Sequence, residues 1–269
     1  MSNPSRVDQE GADFAMLEAR HLTKRYAGVP AVKDVSFRVE PGEVLGYLGP
    51  NGSGKSTTVN MMIGLVEPTS GEVFFEGRDI QEDLVGFRRR VGYVPEEPNL
   101  YPFLSGREYL QLVGRLRRLG AATIERRIDG LLRLLGLDHD GDQSLGSYSK
   151  GMRQKILISA ALIHDPDVLI FDEPLSGLDV TAALVFKHLV RTLADRGKTI
   201  LYSSHVLEVV EKLCSRVVVL TRGQVVADDS VERLRELMSR GTLEEVFAEL
   251  VFREDPERVA REIADTVRA

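Results

Sequence analysis

The sequence predicts an α/β protein with a mostly parallel sheet at its core, an antiparallel β part and an all-helical insertion. Three observations carry this. The run Val168-Leu169-Ile170-Phe171 is apolar without polar alternation, as in a central parallel strand buried on both faces. Residues 16–39 alternate instead, with Val35, Phe37 and Val39 on one face, which marks antiparallel strands. From about residue 97 to 155 the apolar positions recur at helical spacing. The 269 residues are 43% apolar, enough for a sizeable core, and the net charge of −6 gives no electrostatic reason to expect a nucleic acid.

Taken in order, residues 1–14 are polar and acidic and read as a flexible lead-in without the apolar stretch of a signal peptide. Lys24-Arg25-Tyr26-Ala27-Gly28 separates the antiparallel strands, and Tyr26 there is either a turn anchor or an aromatic that stacks on a base. Val44 to Leu48 is an apolar strand behind the turn Glu40-Pro41-Gly42-Glu43, and a helix is expected over residues 57–65. Pro68-Thr69-Ser70-Gly71 reads as a turn, residues 72–76 as a strand, and Gly77 as another turn. The basic run Arg88-Arg89-Arg90 reads as a solvated helix end, and residues 91–94 as a strand stopped by Pro95.

Ser105-Gly106-Arg107-Glu108 is a capping box opening a helix with Tyr109, Leu110, Leu112 and Val113. A second helix is expected over residues 123–135, with Gly136 as its stop. Ser149 caps a third over residues 150–163. Beyond the apolar strand at 168–171, a helix over 180–196 ends at Gly197, and a strand over 199–203 leads to His205. Cys214, the lone cysteine, reads as a small buried apolar residue. Residues 217–220 and 224–227 flank Thr221-Arg222-Gly223 as a closing hairpin. The tail, 231–269, is helical and charged: Thr242-Leu243-Glu244-Glu245 is a capping box, and Asp255-Pro256 opens a helix with Val259, Ile263 and Val267 on one face. No apolar run approaches the ~20 residues that span a bilayer; residues 156–163 and 168–171 are the longest.

The chemistry concentrates in two stretches. Residues 49–57 read Gly49, Pro50, Asn51, Gly52, Ser53, Gly54, Lys55, Ser56, Thr57, a glycine, four residues and then Gly-Lys-Ser, set between a strand and a helix. The glycines permit a tight fold in which several N–H groups point into one concavity at a helix N-terminus, where the dipole favours an anion. Lys55 supplies a point charge for outer phosphates, and the Ser56 hydroxyl is positioned to ligate Mg²⁺. Asp172 and Glu173 follow the apolar strand, at the end where open α/β sheets bind ligands. Asp172 is positioned to hold Mg²⁺, and Glu173 to polarise a water for in-line attack on a γ-phosphate.

With these motifs in order, the chain resembles the nucleotide-binding subunit of ABC transporters over about residues 15–230. Ser149 and Gly151, in Tyr148-Ser149-Lys150-Gly151-Met152, match that family's signature. Ser176-Gly177-Leu178-Asp179 matches its interface loop, His205 its γ-phosphate histidine, and Tyr26 its adenine-stacking aromatic. Two features depart from the pattern: the signature keeps only Ser and Gly of Leu-Ser-Gly-Gly-Gln, and Glu96 stands where a glutamine is usual.

The resemblance implies a P-loop (RecA-like) core, ATP and Mg²⁺ as ligands, and an ATPase with Glu173, His205 and Lys55 in catalysis. Tyr26 and residues 49–57 would hold the nucleotide, and Ser56, Glu96 and Asp172 the metal. Ser149, Lys150, Gly151, Met152 and Asp179 would act across a dimer interface. It further implies a head-to-tail dimer, with itself or a paralogous ATPase, closing around two ATP molecules. A separate integral-membrane permease would dock a helix near residues 96–103, where Leu100, Tyr101 and Phe103 are otherwise local packing. The chain would then sit on the cytoplasmic face of the plasma membrane, with the helical extension at 231–269 outside the ATPase domain. Pro95-Glu96-Glu97 followed by Leu100-Tyr101-Pro102, and the tail stretch 243–247, are similar to prokaryotic drug- and antibiotic-export ATPases.

Two other readings compete. One is an ABC-type ATPase in translation or chromosome maintenance, which a single domain, a short insertion and the negative charge disfavour. The other is a non-hydrolysing nucleotide-gated regulator, which Glu173 and His205 disfavour.

Overall fold

The computed structural model describes residues 17–237, 242, 245–247, 250 and 256–268. The expected lead-in at 1–14, and Leu243 and Glu244 of the second capping box, lie outside the described residues, as do the side chains of Val259 and Ile263.

Two sheets form the core. Strands β1 (Leu17–Tyr26), β2 (Val29–Val39), β4 (Ser70–Phe75) and β5 (Arg78–Asp79) make an antiparallel sheet in the order β2-β1-β4-β5. Strands β3 (Val44–Leu48), β6 (Val91–Val94), β7 (Val168–Asp172), β8 (Thr199–Ser204) and β9 (Arg216–Thr221) run parallel, with β10 (Gln224–Ser230) antiparallel at the edge. The order is β10-β9-β3-β8-β7-β6. Every residue of β3, β7 and β8 is buried. Because side chains alternate along a strand, one set from these strands faces each way. Leu45, Tyr47, Ile170 and Leu201 face the antiparallel sheet and helix α1 (Lys55–Met62). Leu48, Leu169, Phe171 and Tyr202 face α5 (Lys150–Leu162), α6 (Val180–Asp195) and α7 (Leu207–Leu213).

The helical insertion has its own core. Helices α3 (Gly106–Leu116) and α4 (Ala121–Leu134) bury Leu110, Ile124, Ile128 and Leu132 against Ile156, Ala160 and Ile163 of the α5 region. Helix α5 buries Leu157, Ile158 and Ala161 on the parallel sheet at the same time. It is a common wall of two cores, which explains why residues 156–163 form one of the longest apolar stretches in the chain. Ser105 and Glu108 form the expected reciprocal cap on α3.

Several boundaries differ from expectation, two of them for a visible reason. β4 begins at Ser70, not residue 72, because Ser70 pairs with Thr23 across the sheet. α1 begins at Lys55, not Thr57, because its first turn is wound inside the glycine loop.

Arg88, Arg89 and Arg90 are not a solvated helix end. All three are half-buried near the C-terminus of α2 (Leu84–Arg89). Arg88 donates to the carbonyls of Ile63 and Gly64, which end α1. Arg90 bridges Asp167 at 2.6 Å and Glu76 at 2.6 and 2.8 Å and lies 4.5 Å from the Phe75 ring centroid. The same device recurs: Arg117 donates to Arg88 O, Arg127 to Ile163 O at 2.6 Å, and Arg191 to Lys212 O. Each guanidinium sits at the carbonyl-rich end of a helix, where a cation is favoured.

In the tail, α8 (Val231–Leu237) contributes Val231 and Leu234 to the sheet's helical-face core, joined there by Val246 and Phe247. Thr242 and Glu245 exchange both capping hydrogen bonds at 3.3 Å. A last helix, α9 (Pro256–Arg268), exposes every side chain described in it. Phe171 is fully buried and edge-on to Phe186 at 5.0 Å. Phe171→Ala is expected to lower unfolding stability by about 3–5 kcal/mol in urea titrations of the intact chain.

Candidate nucleotide-binding site

The loop from Gly49 to Gly54 leaves the buried β3 and turns directly into α1. Gly54 is the N-cap of that helix at φ +107°, and a Cβ there would lie 2.6 Å from Ala31 O, so only glycine fits. No side chain caps α1 and no acid stands in its first turn, leaving the positive end of the dipole open to an outside anion. Ser53 and Lys55 are buried, while Asn51, Gly52 and Ser56 are exposed and Thr57 half-buried. Lys55 Nζ donates to Gly49 O at 2.7 Å and to Pro50 O at 3.2 Å, closing the loop over its own base. Thr58 Oγ1 donates to Gly54 O at 3.0 Å and accepts from the Tyr47 hydroxyl at 3.1 Å. This buried brace from β3 carried no signal in the sequence.

Two acids approach the loop from β7. Asp172 is almost fully buried, and its Oδ1 has no hydrogen-bond partner among the described residues. Glu173 takes the left-handed φ of +49°. Its Oε1 accepts from His205 N at 2.8 Å and meets His205 Nδ1 at 2.6 Å, while Oε2 accepts from Ser204 Oγ at 3.0 Å. Ser204 is a second residue that the sequence reading passed over; its hydroxyl at a strand end beside His205 was the available signal. Asn51, Gly52 and residues 54–57 form one wall of a cleft of 360 Å³, with Ala31 beside them and Glu96, Asp172 and Glu173 opposite.

Charge in this cleft is balanced between burial and neighbours. Burial lowers the Lys55 pKa, and Glu173, Asp172 and Glu96 hold it up in turn. Burial raises the Asp172 carboxyl, against the pull of the Ser203 and Ser56 hydroxyls. An unpartnered buried carboxylate oxygen facing an exposed serine hydroxyl suits a hard divalent cation, which takes oxygen ligands, few of them from the protein, and completes its shell with phosphate and water. Among the described residues no His, Cys, Asp and Glu cluster holds a metal by itself.

The remaining sequence-predicted residues lie outside the cleft. Tyr26, half-exposed at the end of β1, has Lys24 Nζ 5.5 Å from its ring centroid and is not among the lining residues. Gly49, Pro50 and Ser53 form the loop's base without lining it. Ser149 caps α5 by accepting from Met152 N at 3.2 Å. Gly151 packs so near the following loop that a Cβ would lie 2.5 Å from Gly177 O. Lys150 donates to Ser176 Oγ at 2.7 Å. Asp179 caps α6 by accepting from Ala182 N at 2.8 Å, which lowers its pKa. Residues 149–152 and Asp179 thus stand at the starts of α5 and α6 and do not line the cleft of the same chain.

The burial cost at Asp172 has a testable sign. An acid whose folded-state pKa is raised contributes stability below its unfolded value and loses it as pH rises through the folded value. Asp172→Asn removes that loss. Without ligands it is expected to melt above the parent near neutral pH, the two curves converging as pH falls through the aspartate range. Thermal unfolding across pH measures this, and a variant no more stable than the parent at neutral pH refutes it.

Residues 32–176 match the family model described as ABC transporter. The chain is similar to the ABC transporter ATP-binding protein NatA of Bacillus subtilis (strain 168), 39% identical over 236 residues, which are 87% of this chain and 96% of that protein. It is 37% identical over 222 residues to the Nod factor export ATP-binding protein I of Burkholderia lata, covering 82% of this chain and 73% of that one. Among solved structures, an ATP-binding subunit of an ABC transporter superposes with a TM-score of 0.83 at 34% identity, over 87% of this chain and 99% of that one. A dimeric ATP-binding cassette in a post-hydrolysis state with ADP and Pi superposes with a TM-score of 0.74 at 26% identity, over 80% and 98%. The phosphate-type loop, the acids facing it and these likenesses lead to one conclusion: the chain belongs to the ABC transporter family, as an ATP-hydrolysing subunit that powers transport.

Proposed function

We propose that two copies of this chain, or this chain and a paralogous ATPase, close head to tail around two Mg²⁺-ATP molecules and drive export through a separate membrane permease. The observation that carries the reading is the separation of the signature residues and Asp179 from the cleft. The cleft holds the Lys55 ammonium, an open helix N-terminus and a candidate base, yet the signature residues 149–152 and Asp179 do not line it. A second copy supplies the missing wall. The N-terminal amides of its α5, whose Ser149 hydroxyl marks that helix start, would face the γ-phosphate.

Within one cleft the roles follow from position. Residues 49–57 wrap the phosphates, and Lys55 exchanges its bonds to Gly49 O and Pro50 O for phosphate oxygens. Ser56 and Asp172 would hold Mg²⁺, with Glu96 beside them. Held by these residues, the ion would supply positive charge that offsets that of the phosphates. Glu173 takes the proton of the attacking water. His205 and Ser204 already grip its carboxylate, so the base is oriented before nucleotide arrives. Tyr26, exposed at the strand end nearby in sequence, stacks on adenine.

The membrane partner is read from a second cleft of 570 Å³, between the residues after β6 and the start of α5. Glu96, Glu97 and Leu100 line one side, and Lys150 and Arg153 the other. At its edge Tyr101 is 55% and Phe103 76% exposed, their rings 6.0 Å apart, which supports docking of a helix over local packing. No helix among the described residues is long and apolar enough to cross a membrane. The cytoplasmic membrane face follows from ATP use, and the export direction from likeness to the Nod factor export protein.

Glu173→Gln removes the base and keeps the phosphate contacts. It is expected to lower phosphate release at least about 100-fold and to accumulate as a dimer with ATP and Mg²⁺ in light scattering. A variant that stays monomeric at saturating ATP rules out the sandwich. Tyr101→Ser with Phe103→Ser is expected to abolish co-sedimentation of the chain with native membranes, and retained binding would move the docking surface elsewhere.

A further inference from the structure

Lys150 is a cation in the first turn of a helix, where the dipole disfavours positive charge. Among the described residues it has no carboxylate within ion-pair distance. Its Nζ donates instead to Ser176 Oγ at 2.7 Å, in the loop that follows Glu173. The same two segments are joined at two more points. Gln154 Nε2, on a fully buried side chain, donates to Pro174 O at 3.0 Å. Gly151 lies against Gly177, where a Cβ on the first would sit 2.5 Å from the second's carbonyl oxygen. The fit is mutual: Gly177 has φ +81°, and a Cβ there would lie 2.8 Å from Lys150 Cγ, in the space that the lysine methylenes occupy.

We propose that Lys150 is a positioning residue, a staple whose bond to Ser176 makes the start of α5 and the loop at 174–179 one rigid unit. This rests on the ATP-sandwich reading above, in which Ser149 and Asp179 act on the second copy. With the staple in place, both segments reach the partner's nucleotide together. A small residue at 150 removes the bond to the loop side chain and leaves the Gln154 bond to Pro174 O and the Gly151–Gly177 contact. Lysine adds a charge-assisted bond at the end nearest the second copy.

The test is a double-mutant cycle on the full chain. Lys150→Met, Ser176→Ala and the pair are compared for kcat, for KM of ATP, and, in a Glu173→Gln background, for the ATP-driven dimerisation constant. Each single change is expected to lower kcat and weaken dimerisation about three- to tenfold while moving KM less than about twofold, because ATP first contacts its own chain's loop. The pair is expected to be no worse than the stronger single, and Lys150→Arg to recover most of the loss. Additive singles overturn the staple. So does a silent Ser176→Ala beside a damaging Lys150→Met, which would mean that Lys150 meets the phosphate directly. If the Glu173→Gln parent itself fails to dimerise, the sandwich falls and the staple with it, and the parent's behaviour tells that failure from the others.

Discussion

β8 lies between β3 and β7, and its two parallel ladders determine where the chemistry meets. Leu48, the last residue before the glycine loop, is paired with Ser204. Asp172 is paired with Ser203, and Glu173 N continues the ladder to Ser203 O at 2.9 Å. The phosphate-type loop, the acids and His205 therefore leave the sheet at one level. Every residue of the three strands is buried, so a slip of one residue would turn both apolar faces over. The core that resists such a slip is the same core that holds the loop and acids within reach of one another.

That placement creates an electrostatic problem which each charged residue resolves locally. Lys55 is desolvated but faces three carboxylates, whose attraction offsets part of the cost. Glu173 is nearly buried yet has both oxygens engaged by β8 and the residue after it. Of these three charged groups, Asp172 is the one that keeps a buried oxygen without a partner among the described residues, as suits a group arranged for something outside the chain. Arginine serves a different end. Arg88, Arg117, Arg127 and Arg191 neutralise helix carbonyl ends rather than acids, and the first two link the end of α1 to the end of α3 through α2.

α5 joins the two halves of the molecule. One face belongs to the core of the insertion and the other to the parallel sheet. Its first turn carries the signature residues and is fastened to the loop that follows the acids by Gln154, Gly151 and Lys150. Because α5 belongs to both cores, the cleft that the membrane partner would enter and the surface offered to a second copy share one support.

Local pattern was enough for much of this. β3 and β6 have the bounds expected from short apolar runs, α3 carries its capping box, and Ser149 caps α5, since turns, periodicity and caps depend on residues within a few positions of each other. The chain order of the loop and of Asp172 and Glu173 was equally plain. What local pattern missed was long-range partnership. Arg88 to Arg90 look like surface charge until the carbonyls of 63 and 64 and the acids at 76 and 167 are brought beside them. The Tyr47–Thr58 brace, the grip of Ser204 on Glu173 and the bond from Lys150 to Ser176 are of the same kind. By itself the sequence determined the strands, the helices and the residue types available for phosphate chemistry. Only the tertiary structure decided which buried polar group meets which partner, because hydrogen bonds in a dry interior are satisfied by whatever the packing brings near, however distant in sequence.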